Sequence, residues 1–142
     1  AASVIVTLPV VALVMVATAC SNGATDPVEV TGNTVCTQMT SDGLAFTYEC
    51  EDQTSDPRVS GTEFVTVLYE HLPPTPMSGT FELVNEGGTW IGDWTGEITS
   101  TRNHIVYAVL VGTGEYEGLE YERHWEGVEY PWTITGTIRD SA

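Results

Sequence analysis

From residue 28 onward the chain alternates between apolar and polar positions. Trp90, Trp94 and Ile98 share one face of a run, with Gly92 and Gly96 between them, while Thr89, Asp93, Thr95 and Glu97 occupy the other. Leu119, Tyr121 and Trp125 alternate with Glu120, Glu122, His124 and Glu126, and Tyr130, Trp132, Ile134 and Ile138 alternate with Thr133, Thr135 and Thr137. A period of two with one apolar and one wet face marks antiparallel strands that cover a core on one side only. β-Branched and aromatic runs of this kind lie near 28–38, 44–51, 62–71, 79–85, 89–99, 104–112, 118–126 and 131–139. Eight strands at such spacing, divided by Gly, Pro and Asn/Asp turns and without a helical period, predict an all-β sandwich or closed barrel. Glu86-Gly87-Gly88 and Arg102-Asn103 read as turns, and inward glycines such as Gly92, Gly96, Gly112 and Gly136 suit the bends of a small barrel. Pro73, Pro74 and Pro76 are expected to interrupt the middle of the domain, since proline cannot donate to a central ladder. The run IVYAVLV at 105–111 is apolar on both faces and is expected to be the most buried strand.

The first 19 residues follow a different rule, being apolar throughout and free of charge. They end at Ala17-Thr18-Ala19-Cys20, followed at once by the polar segment SNGATDP. Small residues before a cysteine resemble the bacterial lipobox, in which that cysteine becomes the lipidated N-terminus. On this reading 1–19 is a lipoprotein signal peptide whose initiator Met and basic stretch lie ahead of the sequence, Cys20 carries the lipid, and 20–27 is a tether. Residues 28–142 are then the folded domain. The alternative is an uncleaved apolar anchor, since about 20 such residues span a bilayer. Either way the domain is expected outside the cytoplasm, in the lipoprotein case anchored to the bacterial cell envelope and touching membrane only through its lipid.

Charge narrows the partners. The chain has 20 Asp and Glu against four Arg and no Lys, a net charge of −16. Phosphate backbones need a basic face that four scattered arginines cannot supply, so nucleic acid is excluded as a partner. Of three cysteines, setting Cys20 aside leaves Cys36 and Cys50 on either side of the Ser41-Asp42-Gly43 turn signal. A hairpin turning near Gly43 brings them opposite one another, and a disulfide is expected in an oxidising compartment. The competing reading, a pair of reactive or metal-binding thiols, lacks a C-x-x-C spacing or a neighbouring His.

The segment Gly112-Thr113-Gly114-Glu115-Tyr116-Glu117-Gly118, after an apolar strand and ahead of the late aromatic strand ending in Gly136, resembles the allene oxide cyclase-like barrels. Dirigent proteins share that architecture and a similar glycine motif. The resemblance covers about the last third of the chain. It implies an eight-stranded antiparallel β-barrel, calycin-like, with a central cavity; in the plant cyclases that cavity holds an unsaturated fatty-acid epoxide and steers its ring closure. No residue here matches their catalytic glutamate or water-holding side chains, so the activity does not carry over with the fold.

Chemistry-bearing residues are few. Glu120, Glu122, His124 and Glu126 form one row that reads first as a solvated outer face, and no calcium-loop spacing is present. His71, His104 and His124 are too scattered for zinc, so neither a metal nor a cofactor is expected. GxSxG, HExxH and phosphate-loop motifs are absent. Arg123 is in register with inward Tyr121 and Trp125, and a buried guanidinium needs a partner. It pairs either with an inward acid, Glu63 or Glu82, or with a ligand carboxylate that its planar fork suits. Trp90, Trp94, Tyr121, Trp125 and Trp132 are core first; around a hollow lumen they would wall a site for a small apolar or ring-containing ligand, with Arg123 as polar anchor. That binding role leads. A cyclase or isomerase using Glu63, Glu82 or His104 as acid or base, and an interaction module with a filled core, are the alternatives. Oligomeric state is left open.

Overall fold

In the computed structural model, which describes residues 26–142, eight strands follow one another as β1 (Val28–Asp42), β2 (Ala45–Thr54), β3 (Gly61–Tyr69), β4 (Thr75–Asn85), β5 (Gly88–Ile98), β6 (His104–Gly112), β7 (Leu119–Gly127) and β8 (Trp132–Asp140). Each pairs antiparallel with its neighbours in sequence, and β8 returns to β1, closing a barrel rather than a sandwich. The seam runs from Val28 opposite Ile138 to Thr34 opposite Trp132. Closure leaves no unpaired edge. The lipidation candidate Cys20 and the signal segment 1–19 lie outside the described residues. Among those described, no helix is long and apolar enough to cross a membrane.

Alternation sets the inside. Trp90, Trp94 and Ile98 point inward from β5, Tyr121, Arg123 and Trp125 from β7, and Ile134 and Ile138 from β8, all buried. The outer row Glu120, Glu122, His124 and Glu126 is half-buried to exposed, and Arg139 crosses it with bonds to Glu120 (2.6 Å) and Glu122 (2.9 Å). Glycine makes room where large rings cross the wall. A Cβ on Gly79 would sit 2.7 Å from the Trp94 indole nitrogen, and one on Gly136 would sit 2.6 Å from the Tyr121 ring.

Two expectations are corrected. β6 is not buried on both faces: Val106, Ala108 and Leu110 face the core, but Tyr107 and Val111 are about half exposed (45% and 51%). A barrel has a single sheet layer, and no described element covers the outer side of β6. Pro76 does lie within a strand, as the second residue of β4, with its ring exposed. It sits at the strand's start, where its carbonyl accepts from Glu70 N (3.2 Å) and little ladder is lost.

Because the barrel runs up and down, the connections after β2, β4 and β6 gather at one end and those after β1, β3, β5 and β7 at the other. The first end is sealed. Two short 3₁₀ turns, Pro57–Val59 and Gly114–Tyr116, fold over it and send Val59 and Tyr116 into the core. Tyr116 stacks on Trp90 at 5.2 Å and donates its hydroxyl to Asn85 Oδ1 (2.6 Å). Asn85 Nδ2 in turn donates to the Arg58 and Ser60 carbonyls (2.9 and 3.0 Å), and Trp90 Nε1 to the Arg58 carbonyl (2.7 Å). The glycine motif 112–118 thus builds this seal, with Gly114 and Gly118 in the left-handed region that glycine adopts freely (φ 64° and 85°).

Candidate functional site

Opposite the seal the barrel is hollow. A cavity of about 440 Å³, within the ordinary size of small-molecule sites, opens between the β1–β2, β3–β4, β5–β6 and β7–β8 connections. Its walls carry the rings of Tyr48, Tyr69, Trp94, Trp125, Tyr130 and Trp132, with Val65, Val67 and Met77 between them. The rings lean on the wall rather than fill the space. Trp94 Nε1 donates to the Thr66 carbonyl (3.1 Å), while Trp132 stacks on His104 (4.4 Å) and Tyr130 (4.9 Å). The Cys36–Cys50 disulfide is formed between residues paired across β1 and β2, and it too faces the cavity.

The lumen aromatics read from the sequence therefore divide. Trp94, Trp125 and Trp132 line the cavity, whereas Trp90 and Tyr121 lie fully buried at the sealed end, stacked edge-on at 5.8 Å. Tyr48, Tyr69 and Tyr130 were not among the candidates yet supply much of the wall. Tyr48 sits in a half-polar run and Tyr69 where a strand gives way to a loop, so alternation marked neither strongly; Tyr130 alternates with Trp132 and Ile134 but lies in the connection before β8.

Between the two halves lies a buried ionic layer. Arg123, Asp52 and Glu63 are wholly inaccessible to solvent; Arg123 Nη1 donates to Asp52 Oδ2 (2.5 Å) and Nη2 is 2.9 Å from Glu63 Oε2. The guanidinium also rests on the rings of Phe81 (4.6 Å) and Trp125 (4.3 Å). One cation thus faces two carboxylates. Burial, with Asp52 alongside, holds the Glu63 carboxyl well above its usual range against the pull of Arg123. Burial opposes the charge on Arg123, but Glu63 and Asp52 outweigh it, so the guanidinium stays protonated. Burial thus favours the protonated form of Glu63 in this layer.

This arrangement changes the roles expected of these residues. Arg123 Nη1 donates to Asp52 and Nη2 lies against Glu63, and Arg123 is not part of the cavity wall; Glu63 is. Glu82 faces outward and is exposed, so it neither pairs with Arg123 nor serves a lumen. The alternation of β4 requires this, since Phe81 and Leu83 point in. His104 lines the cavity with a ring nitrogen 3.3 Å from the Gly127 carbonyl, and burial lowers its affinity for a proton. Burial, reinforced by neighbouring phenols, raises the pKa of Tyr48 and Tyr130, and burial raises that of Tyr69 against the pull of Arg102. These hydroxyls are neutral donors and acceptors near the mouth. No cluster of three or more metal-ligating side chains occurs among the described residues. Comparison of the chain with protein-family models, with curated proteins and with solved structures finds no match.

Proposed function

We propose that this protein is a binding protein for a small, largely apolar, ring-containing molecule held in the open half of the barrel. The observation that carries the reading is a cavity of about 440 Å³ walled by aromatic side chains and closed at its inner end. Flat rings with polar tips offer apolar area and scattered hydrogen-bonding positions, the usual lining of a small-molecule site. Binding is favoured over cyclase or isomerase chemistry by where the acid/base candidates lie. Glu63 is held by Arg123 and Asp52, His104 is engaged with a backbone carbonyl, and Glu82 is on the outside. The glycine motif's resemblance to allene oxide cyclase-like barrels agrees with a hollow lumen. The setting is extracytoplasmic, with the domain tethered through a lipid on Cys20. The lipobox-like Ala17–Cys20 and the formed disulfide both support that setting.

The test is binding of a neutral ring dye, N-phenyl-1-naphthylamine, by the protein exported from a bacterial host. One saturable site per chain is expected, lost in Val67→Phe, which fills the cavity from its wall. A natively folded protein that leaves the dye dark, or a Val67→Phe variant that binds it as well as the parent, would overturn the reading.

A further inference from the structure

The four arginines of the chain are not alike. Arg58 is paired with Asp56 (2.7 Å), Arg123 with Asp52 and Glu63, and Arg139 with Glu120 and Glu122. Arg102 has no carboxylate within 4.0 Å among the described residues, in a chain with 20 of them. It stands in the β5–β6 connection at the open end and is the one arginine that lines the cavity. Acidic residues are nearly excluded from that wall: Glu63, deep and already paired, is the single carboxylate in it. Within the cavity wall Arg102 is therefore the one cation, although Glu70 and Glu129 stand in connections at the same end.

The backbone adds an independent observation. Arg102 is the one non-glycine residue with a positive φ (65°) among those described. This is a left-handed conformation that is unfavourable for an ordinary side chain and free for glycine. The turn around it is fully bonded: Arg102 N donates to Thr99 O (2.9 Å), Thr99 N to Asn103 O (2.9 Å) and Asn103 N to Thr99 Oγ1 (3.1 Å). Asn103 Nδ2 reaches Glu126 (2.7 Å), which takes up the nearby acid on that side. Glycine would satisfy every one of these backbone bonds, so the turn itself does not need an arginine. The charge also reaches into the site, since it acts on the Tyr69 phenol and the His104 ring.

We infer that Arg102 is the headgroup anchor of the cavity and that its ligand is a ring-containing organic acid, bound with its apolar body against Trp94 and Trp125 and its carboxylate at the mouth. The inference rests on the binding reading above and adds the ligand's charge and orientation. A planar guanidinium fork accepts a carboxylate through two parallel bonds, and Tyr69 offers a phenol beside it.

A matched pair of probes tests this: 2-naphthoate and its neutral amide, 2-naphthamide, titrated calorimetrically against the exported protein at neutral pH. The acid is expected to bind about tenfold tighter than the amide, a difference that disappears in Arg102→Gln while amide binding is unchanged. Arg102→Gly is expected to lose the same preference and to melt at or above the parent temperature, because it relieves the backbone. Equal binding of acid and amide by the parent, a preference that survives Arg102→Gln, or a Gly variant that melts several degrees lower would overturn the anchor and leave the cavity reading standing. If neither probe binds, the cavity reading fails and the anchor with it.

Discussion

The two ends of this barrel are built from the same strands and the same kinds of side chain, yet one is solid and the other hollow. At the sealed end Trp90 and Tyr121 meet Tyr116 and Val59, which arrive not from strands but from the turns Pro57–Val59 and Gly114–Tyr116. At the open end Trp94, Trp125 and Trp132 point inward with equal regularity. There the connections 99–103 and 128–131 add Arg102, Val128 and Tyr130 to the wall, and the space between stays open. A small barrel is filled or empty according to what its loops contribute, because eight strands alone leave the axis open at the level of short side chains and glycines.

The sharpest way to break that comparison is to truncate one tryptophan from each half. Trp90→Ala should cost about 3–5 kcal/mol, since a fully buried ring with a bonded indole nitrogen leaves a cavity that nothing fills. Trp132→Ala should cost about 1–2 kcal/mol, because this ring is half-buried and borders space already empty. Ligand binding should respond in the opposite order, lost in Trp132→Ala and kept in folded Trp90→Ala. Chemical denaturation and dye titration on both variants check this. Arg123→Ala tests the layer between the halves. Leaving buried Asp52 and Glu63 without their cation should cost about 3–5 kcal/mol, and denaturation at neutral pH measures it. A loss below 1 kcal/mol would mean that water reaches this layer.

Next in size is the disulfide. It ties β1 to β2 on the hollow side, where packing holds the wall least, and closes a 14-residue separation. The chain-entropy model gives about 3 kcal/mol for a loop of this length. Cys36→Ser with Cys50→Ser should lower stability by about that amount. Amide exchange should quicken in the β1–β2 hairpin before it does around Trp90 and Tyr116. Uniform acceleration would mean that the two ends do not differ in local stability.

How much of this was legible in the sequence follows the same division. Strand positions, inward faces and the Cys36–Cys50 pairing come from period-two alternation and one turn signal, which are local properties; closure into a barrel was implied only by the resemblance of the glycine motif. Depth along the axis does not: alternation assigns Trp90 and Trp94 to one face but cannot say that one meets a plug and the other a void. Asp52 was invisible as a second partner of Arg123 because the run of β2 was read as ending at 51, although pairing continues through Thr54 opposite Gly32. The seal depends on Asn85 and Tyr116, which are tied to each other and to the Arg58 and Ser60 carbonyls by side-chain hydrogen bonds across 25 residues and more. No periodic pattern announces such contacts. Arg102 read as a turn residue, and its role emerges only when the other three arginines are seen to be paired.

A pH dependence is the effect most specific to the layer between the two ends. In the unfolded chain Glu63 loses its proton near the ordinary value of 4.5, while in the barrel burial and Asp52 make it keep the proton to higher pH. Between those two points the folded state holds a proton that the unfolded state has released. Stability contributed by this group is therefore full below the unfolded value and declines as pH rises, by up to about 1.4 kcal/mol per unit. Glu63→Gln keeps the shape and cannot ionise, so its stability should not share the decline. The difference between variant and parent should be small at pH 4 and grow in the variant's favour toward neutrality, read from melting temperatures across that range. Titrating groups away from this layer are common to both proteins and cancel in the difference. Parallel curves would mean that Glu63 ionises in the barrel as it does in water, and that the single guanidinium of Arg123 suffices for two buried carboxylates.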